Sequence, residues 1–67
     1  MRIKVSGMSC EHCVMAVRKA LERTPGVERV VEVSLDRGEA LVEGRPDPAA
    51  VVAAIEEEGY RAEVVEA

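Results

Sequence analysis

The sequence predicts an α+β fold, a two-layer sandwich with a four-stranded antiparallel sheet on one side and two helices on the other. Three observations lead there. Apolar residues recur with period two in four short stretches and with helical spacing in two longer ones, in the order βαββαβ. Each helical stretch carries a single apolar stripe, so both helices have to bury it on one shared sheet face. Glycine and proline fall at the boundaries between stretches. Repeats, linkers and low-complexity segments are absent, and a single domain over residues 1–67 is expected.

Arg2 to Ser6 alternates polar and apolar, with Ile3 and Val5 on one face, and Gly7 ends it. Ser9 is placed to cap a helix from about Glu11 to Arg23, with Glu11 in the first turn where an acid suits the helix dipole. Val14, Val17, Leu21 and Thr24 form its stripe, with Ala20 at the margin and Cys13 at the edge. Pro25-Gly26 stops the helix. From Val27 to Leu35 the period returns to two, with Val31, Val33 and Leu35 pointing one way and Glu32 and Ser34 the other. Asp36-Arg37-Gly38 is a hairpin turn, and the return strand from Glu39 to Glu43 puts Ala40 and Val42 inward. Asp47-Pro48, a capping acid followed by proline at the first helical position, opens the second helix. Val51, Val52 and Ile55 line its buried face, and Gly59 ends it. A last strand from Tyr60 to Val65 places Tyr60, Ala62 and Val64 on one side. Right-handed crossovers then favour the split βαβ, ferredoxin-like arrangement.

A chain of 67 residues buries roughly 60% of its unfolded surface, a marginal amount. A disulfide between cysteines this close in sequence closes too short a loop to help much, so packing has to carry the fold. Phe and Trp are absent and Tyr60 is the only aromatic residue, which leaves Val, Leu, Ile and Ala for the core. A net charge of −4 argues against nucleic acid as a partner. No apolar run approaches the roughly 20 residues that span a bilayer, so membrane insertion is not expected. Met1-Arg2-Ile3-Lys4-Val5 lacks the apolar core of a secretory signal. A cytoplasmic protein with reduced cysteines is the expectation. Asn and Gln are missing while Arg and Glu abound, a bias found in heat-adapted proteins.

The chemistry is concentrated in Gly7-Met8-Ser9-Cys10-Glu11-His12-Cys13, which holds both cysteines, the only histidine and one of three methionines. Cys-x-x-Cys opening a helix brings two sulfurs together, and the helix N-terminus lowers thiol pKa, favouring the thiolate that binds or attacks. Three uses compete for such a pair. Structural zinc needs four ligands, and no second Cys/His pair exists. A redox dithiol of the thioredoxin kind belongs to a longer chain with another strand–helix order. A soft monovalent ion such as Cu(I) favours thiolates and tolerates few of them.

The same stretch resembles the Gly-Met-x-Cys-x-x-Cys loop of heavy-metal-associated domains. Pro25-Gly26-Val27 after the first helix and Gly59-Tyr60 before the last strand agree with that family, and the resemblance covers the whole chain. It is similar above all to small bacterial copper chaperones of the CopZ type. That resemblance implies Cys10 and Cys13 as the ligands of Cu(I), with Ag(I) or Hg(II) as surrogates. It implies as partner the metal-binding domain of a copper-transporting P-type ATPase, and a monomer when free of metal, with a copper-bridged dimer as a further state. Family members for zinc, cadmium or lead often carry an acid just before the first cysteine. Ser9 stands there instead, which favours copper. The resemblance also places Tyr60 beside the loop as a shield and Met8 beneath it as an anchor. His12 is read as solvated, with a third ligand or a bridge in a dimer as alternatives, and Met15 as a chance exposed residue on the outer side of the first helix, with a docking contact as the alternative. Arg18, Lys19 and Arg23 on one helix and Glu56-Glu57-Glu58 on the other read as solvated faces or as charges that orient a partner. The rival readings are a metal-binding domain excised from such an ATPase and a small dithiol oxidoreductase. Carriage of copper involves no catalysis.

Overall fold

The computed structural model describes residues 1–67. It contains β1 (Arg2–Ser6), α1 (Glu11–Glu22), β2 (Val27–Ser34), β3 (Glu39–Gly44), α2 (Pro48–Glu57) and β4 (Arg61–Glu66). The strands lie in the order β2-β3-β1-β4 with every neighbouring pair antiparallel. β3 is thus inserted between β1 and β2, which α1 connects. This is the split βαβ arrangement, with both helices packed on the sheet and on each other, as the single apolar stripes require.

One cluster forms the core. Ile3 and Val5 of β1, Val17 and Leu21 of α1, Val30 of β2, Ala40 and Val42 of β3, and Val51 and Ile55 of α2 are buried together. Met1, Met8, Val27, Val33, Tyr60, Ala62 and Val64 pack around them. Every expected inward residue of β1, β3 and the last strand is on the expected side. Val14 and Val52, expected on the helix stripes, are half-buried.

The caps explain where the helices sit. Asp47 accepts a hydrogen bond from the Ala49 amide at 3.0 Å, with Pro48 beginning α2 behind it. The helix ends at Glu57 rather than running on to Gly59, which takes the left-handed conformation that follows a helix terminus. α1 ends at Glu22 with Arg23 as its C-cap. Thr24, expected on the stripe of α1, is buried in the turn beyond it, and its hydroxyl donates to the Ala20 carbonyl at 2.8 Å. No helix is long and apolar enough to cross a membrane.

β2 departs from strict alternation. Val30 pairs with Val42, but the next pair is Glu32 with Leu41, so two steps on β2 match one step on β3 and Val31 is an extra residue. A second irregularity lies between Val27 and Arg29. Such a bulge resets which side chains face the core. Val30 is therefore buried and Val33 half-buried, three residues apart, while Val31, expected inward, is 38% exposed. Leu35 lies beyond the strand, half-buried. Arg29 faces Glu43 across the ladder with two hydrogen bonds of 3.1 and 2.9 Å, which holds the register on the sheet's open side.

The bulge makes a specific expectation for denaturant unfolding. Val30→Ala should cost about 2 kcal/mol, the value of removing buried methyl groups. Val31→Ala should stay within about 0.5 kcal/mol, as an exposed position does. Equal losses, or a larger loss at Val31, would mean that β2 alternates without the bulge.

Candidate metal centre

β1 delivers the chain to the site and Gly7 turns it off the sheet. The backbone there has φ of +101°, a region open to glycine and strained for other residues. The Tyr60 ring lies over it, 3.5 Å from where a Cβ would stand. Met8 is half-buried against the core, which anchors the loop from below, as expected. Only Ser9 and Cys10 then separate this anchor from the first residue of α1.

Cys10, not Ser9, is the N-cap residue. Its backbone is extended, with φ −161° and ψ 176°, and its carbonyl accepts from the Cys13 and Val14 amides at 3.0 and 3.3 Å. No side chain caps this helix end. The expectation for Ser9 fails because its hydroxyl lies 3.8 Å from the Cys13 sulfur and serves the thiol instead of the helix. The sequence contained a serine one residue before the cysteine pair, but capping and thiol-binding roles for it look alike without the turn at Gly7.

Both thiols are free, Cys10 exposed and Cys13 half-buried, with their sulfurs 3.9 Å apart. The Cys13 thiol is lowered to about 6. The Ser9 amide is the first cause, followed by the Tyr60 hydroxyl; burial opposes them, and the Ser9 hydroxyl and Cys10 amide add smaller lowering effects. All of these groups except burial are donors that favour the thiolate. Tyr60 in turn is raised, because its proton is held at the Cys13 sulfur and a phenolate there would face a thiolate. Tyr60 is therefore beside the loop as expected, and it acts on Cys13 electrostatically as well as covering Gly7.

The remaining residues of interest are spread around the pair. His12 is exposed on the first turn of α1 and Met15 is 55% exposed on the next. No group of three His, Cys, Asp or Glu side chains comes together, so the pair stands without a third strong ligand. The two charge clusters meet across the helices, where Arg23 and Glu58 form an exposed ion pair at 3.4 Å.

The electrostatics set a pH dependence. A depressed thiol pKa means that Cys13 becomes reactive as pH rises through about 6, against about 8.5 for a free cysteine. Alkylation by iodoacetamide, mapped by peptide mass spectrometry, should give that midpoint at Cys13, and Tyr60→Phe should move it upward. An ordinary midpoint in the native protein, or none of this movement in the variant, would remove the role of these donors.

Residues 2–61 match the family model described as the heavy-metal-associated domain. The chain is 41% identical to the copper chaperone CopZ of Enterococcus hirae over 64 residues, 91% of each chain. The apo form of the Enterococcus hirae copper chaperone superposes with a TM-score of 0.85 at 37% identity, covering 96% of this chain and 97% of that one. Mercuric reductase of Shigella flexneri is 39% identical over 67 residues, and copper-transporting ATPase 1 of Rhizobium meliloti 37% over 62. The chain spans only 12% and 8% of those two proteins. With a family match over nearly its whole length and the matching fold, the chain belongs to the heavy-metal-associated domain family.

Proposed function

We propose that the protein is a cytoplasmic copper chaperone that binds one Cu(I) between Cys10 and Cys13. It hands the ion to the metal-binding domain of a copper-transporting P-type ATPase. The observation that carries this reading is the pair of free sulfurs 3.9 Å apart at the exposed end of α1, with no third ligand gathered around them. Metal–sulfur bonds of about 2.3 Å in a line separate two sulfurs by about 4.6 Å. Small side-chain rotations supply that opening. A disulfide instead requires closure to about 2.05 Å. Zinc, which takes four ligands in structural sites, finds two here. Cu(I) accepts few soft ligands and suits the pair. Likeness to a copper chaperone over 91% of both chains supports the same cargo, and likeness to part of a copper-transporting ATPase supports the partner.

Each residue has a part in this reading. Cys13, lowered to about 6, is a thiolate at neutral pH and meets the ion first. Any proton still on the second thiol leaves to solvent as the ion binds. Tyr60 and Met8 hold the loop so that the sulfurs face outward while the core stays closed. For release, a cysteine of the partner attacks the bound ion and a three-coordinate intermediate forms. One sulfur of this chain then departs, and the second exchange follows. The ion is never bare, so tight binding and fast transfer coexist. The protein is a carrier and not a catalyst.

Competition with a Cu(I)-specific chromophoric chelator, under anaerobic reducing conditions, tests the site. The native chain should withdraw one copper per molecule, and Cys10→Ser and Cys13→Ser should each lose at least a hundredfold in affinity, equivalent to about 2.7 kcal/mol. Failure of the native chain to compete, or retention of affinity by either variant, would contradict copper carriage by this pair.

A further inference from the structure

His12 and Met15 take no part in the thiol pair and no part in the core. Met15 is the most exposed large apolar side chain at 55%, on a helix whose other face fills the core, and His12 is exposed at the start of the same helix. Three positions apart, they project from neighbouring places on one helix face, with Cβ atoms about 5–6 Å apart. Both line one open cleft, whose other walls are Ala16, Lys19, Arg23 and Glu58. Ala16 has nothing beyond its Cβ to fill the space.

An imidazole nitrogen and a thioether sulfur are both accepted by soft, copper-like ions. Bonds of about 2.0 Å to nitrogen and 2.3 Å to sulfur put two such donors about 4.3 Å apart in a line, a span that two side chains so placed can meet. The rest of the cleft sets which ions enter. Lys19 and Arg23 repel a dication twice as strongly as a monocation at the same distance. Glu58, the one carboxylate of the cleft, is engaged by Arg23 at 3.4 Å. A hard divalent ion, which needs several oxygen ligands, finds neither ligands nor a favourable field.

We infer that His12 and Met15 form a second, weaker site for a soft monovalent ion, Cu(I) or Ag(I), separate from the thiol pair. Its donors are an imidazole nitrogen and a thioether sulfur instead of two thiolates, so it fills after the thiol pair, when a second equivalent of metal is present. The site goes beyond the proposed chaperone function and stands without it, because neither donor is a thiol.

Ag(I) alone is the probe. It is titrated into native protein already carrying one equivalent of Ag(I), and in parallel into the Cys10→Ser/Cys13→Ser protein, with the methionine methyl and histidine ring signals followed by NMR. The Met15 methyl and the His12 ring should move together and saturate at one further equivalent in the first case and at one in the second. The Met1 and Met8 methyls should stay in place. Met15→Leu and His12→Ala should each weaken this binding at least tenfold. A still Met15 signal, equal movement of all three methionines, or unchanged affinity in Met15→Leu would overturn the inference. The serine protein has no thiols, so its result is independent of whether the thiol pair carries copper, and the native arm remains decisive if that variant fails to fold.

Discussion

Val17 and Leu21 of α1 are buried in one cluster with Ile3 and Val5 of β1, all at 3% exposure or less, and that shared core fixes the thiol loop in space. Full burial of such side chains stabilises by about 1.5–3 kcal/mol each, in a domain with no aromatic residue in its core cluster. Once β1 and α1 are held together, the loop joining Ser6 to Glu11 has four residues and little freedom. Gly7 supplies the one backbone conformation that lets the chain leave the sheet under Tyr60, and Met8 spends its side chain on the core. Cys10 is left exposed and Cys13 half-buried at the mouth of that loop.

The same arrangement separates reactivity from burial. Thiols are often shifted by apolar surroundings, which favour the protonated form. Cys13 is shifted the other way, by the Ser9 amide first and the Tyr60 hydroxyl next, while still open to solvent on one side. Donors held by a rigid loop stabilise negative charge without enclosing it. For a carrier as proposed, this combination matters: a thiolate that is ready at neutral pH, held in place, and reachable by an incoming sulfur of a partner.

Most of the architecture was legible in the sequence because each element has one apolar period and clear punctuation. Asp47-Pro48, the inward pair Ala40 and Val42, and the side of Tyr60, Ala62 and Val64 all appear as alternation and capping rules dictate. The misreading of Val31 has a definite cause. Four valines within Val27–Val33 leave two alternating registers open, and only the pairing with β3 reveals that a bulge puts Val30 inside. Ser9 departs from its expected place for a similar reason, since its hydroxyl oxygen can accept from a helix amide or its proton can serve a thiolate, and the turn at Gly7 decides which is in reach. The cysteine pair was legible from its own spacing, and the covering Tyr60 and the anchoring Met8 through resemblance. The electrostatic link from Tyr60 and Ser9 to Cys13 was not, because it connects residues that only the folded loop brings together. The Arg23–Glu58 pair was equally hidden, joining two clusters that look independent along the chain.

X-ray absorption at the copper edge, on protein loaded anaerobically with one equivalent of Cu(I), examines the proposed site most directly. Two sulfur neighbours at a single distance, and no nitrogen or oxygen shell, are the expected result for an ion held in near-linear geometry between Cys10 and Cys13. A site with one sulfur or none, or a four-coordinate shell containing nitrogen and oxygen, would contradict carriage of copper by the thiol pair.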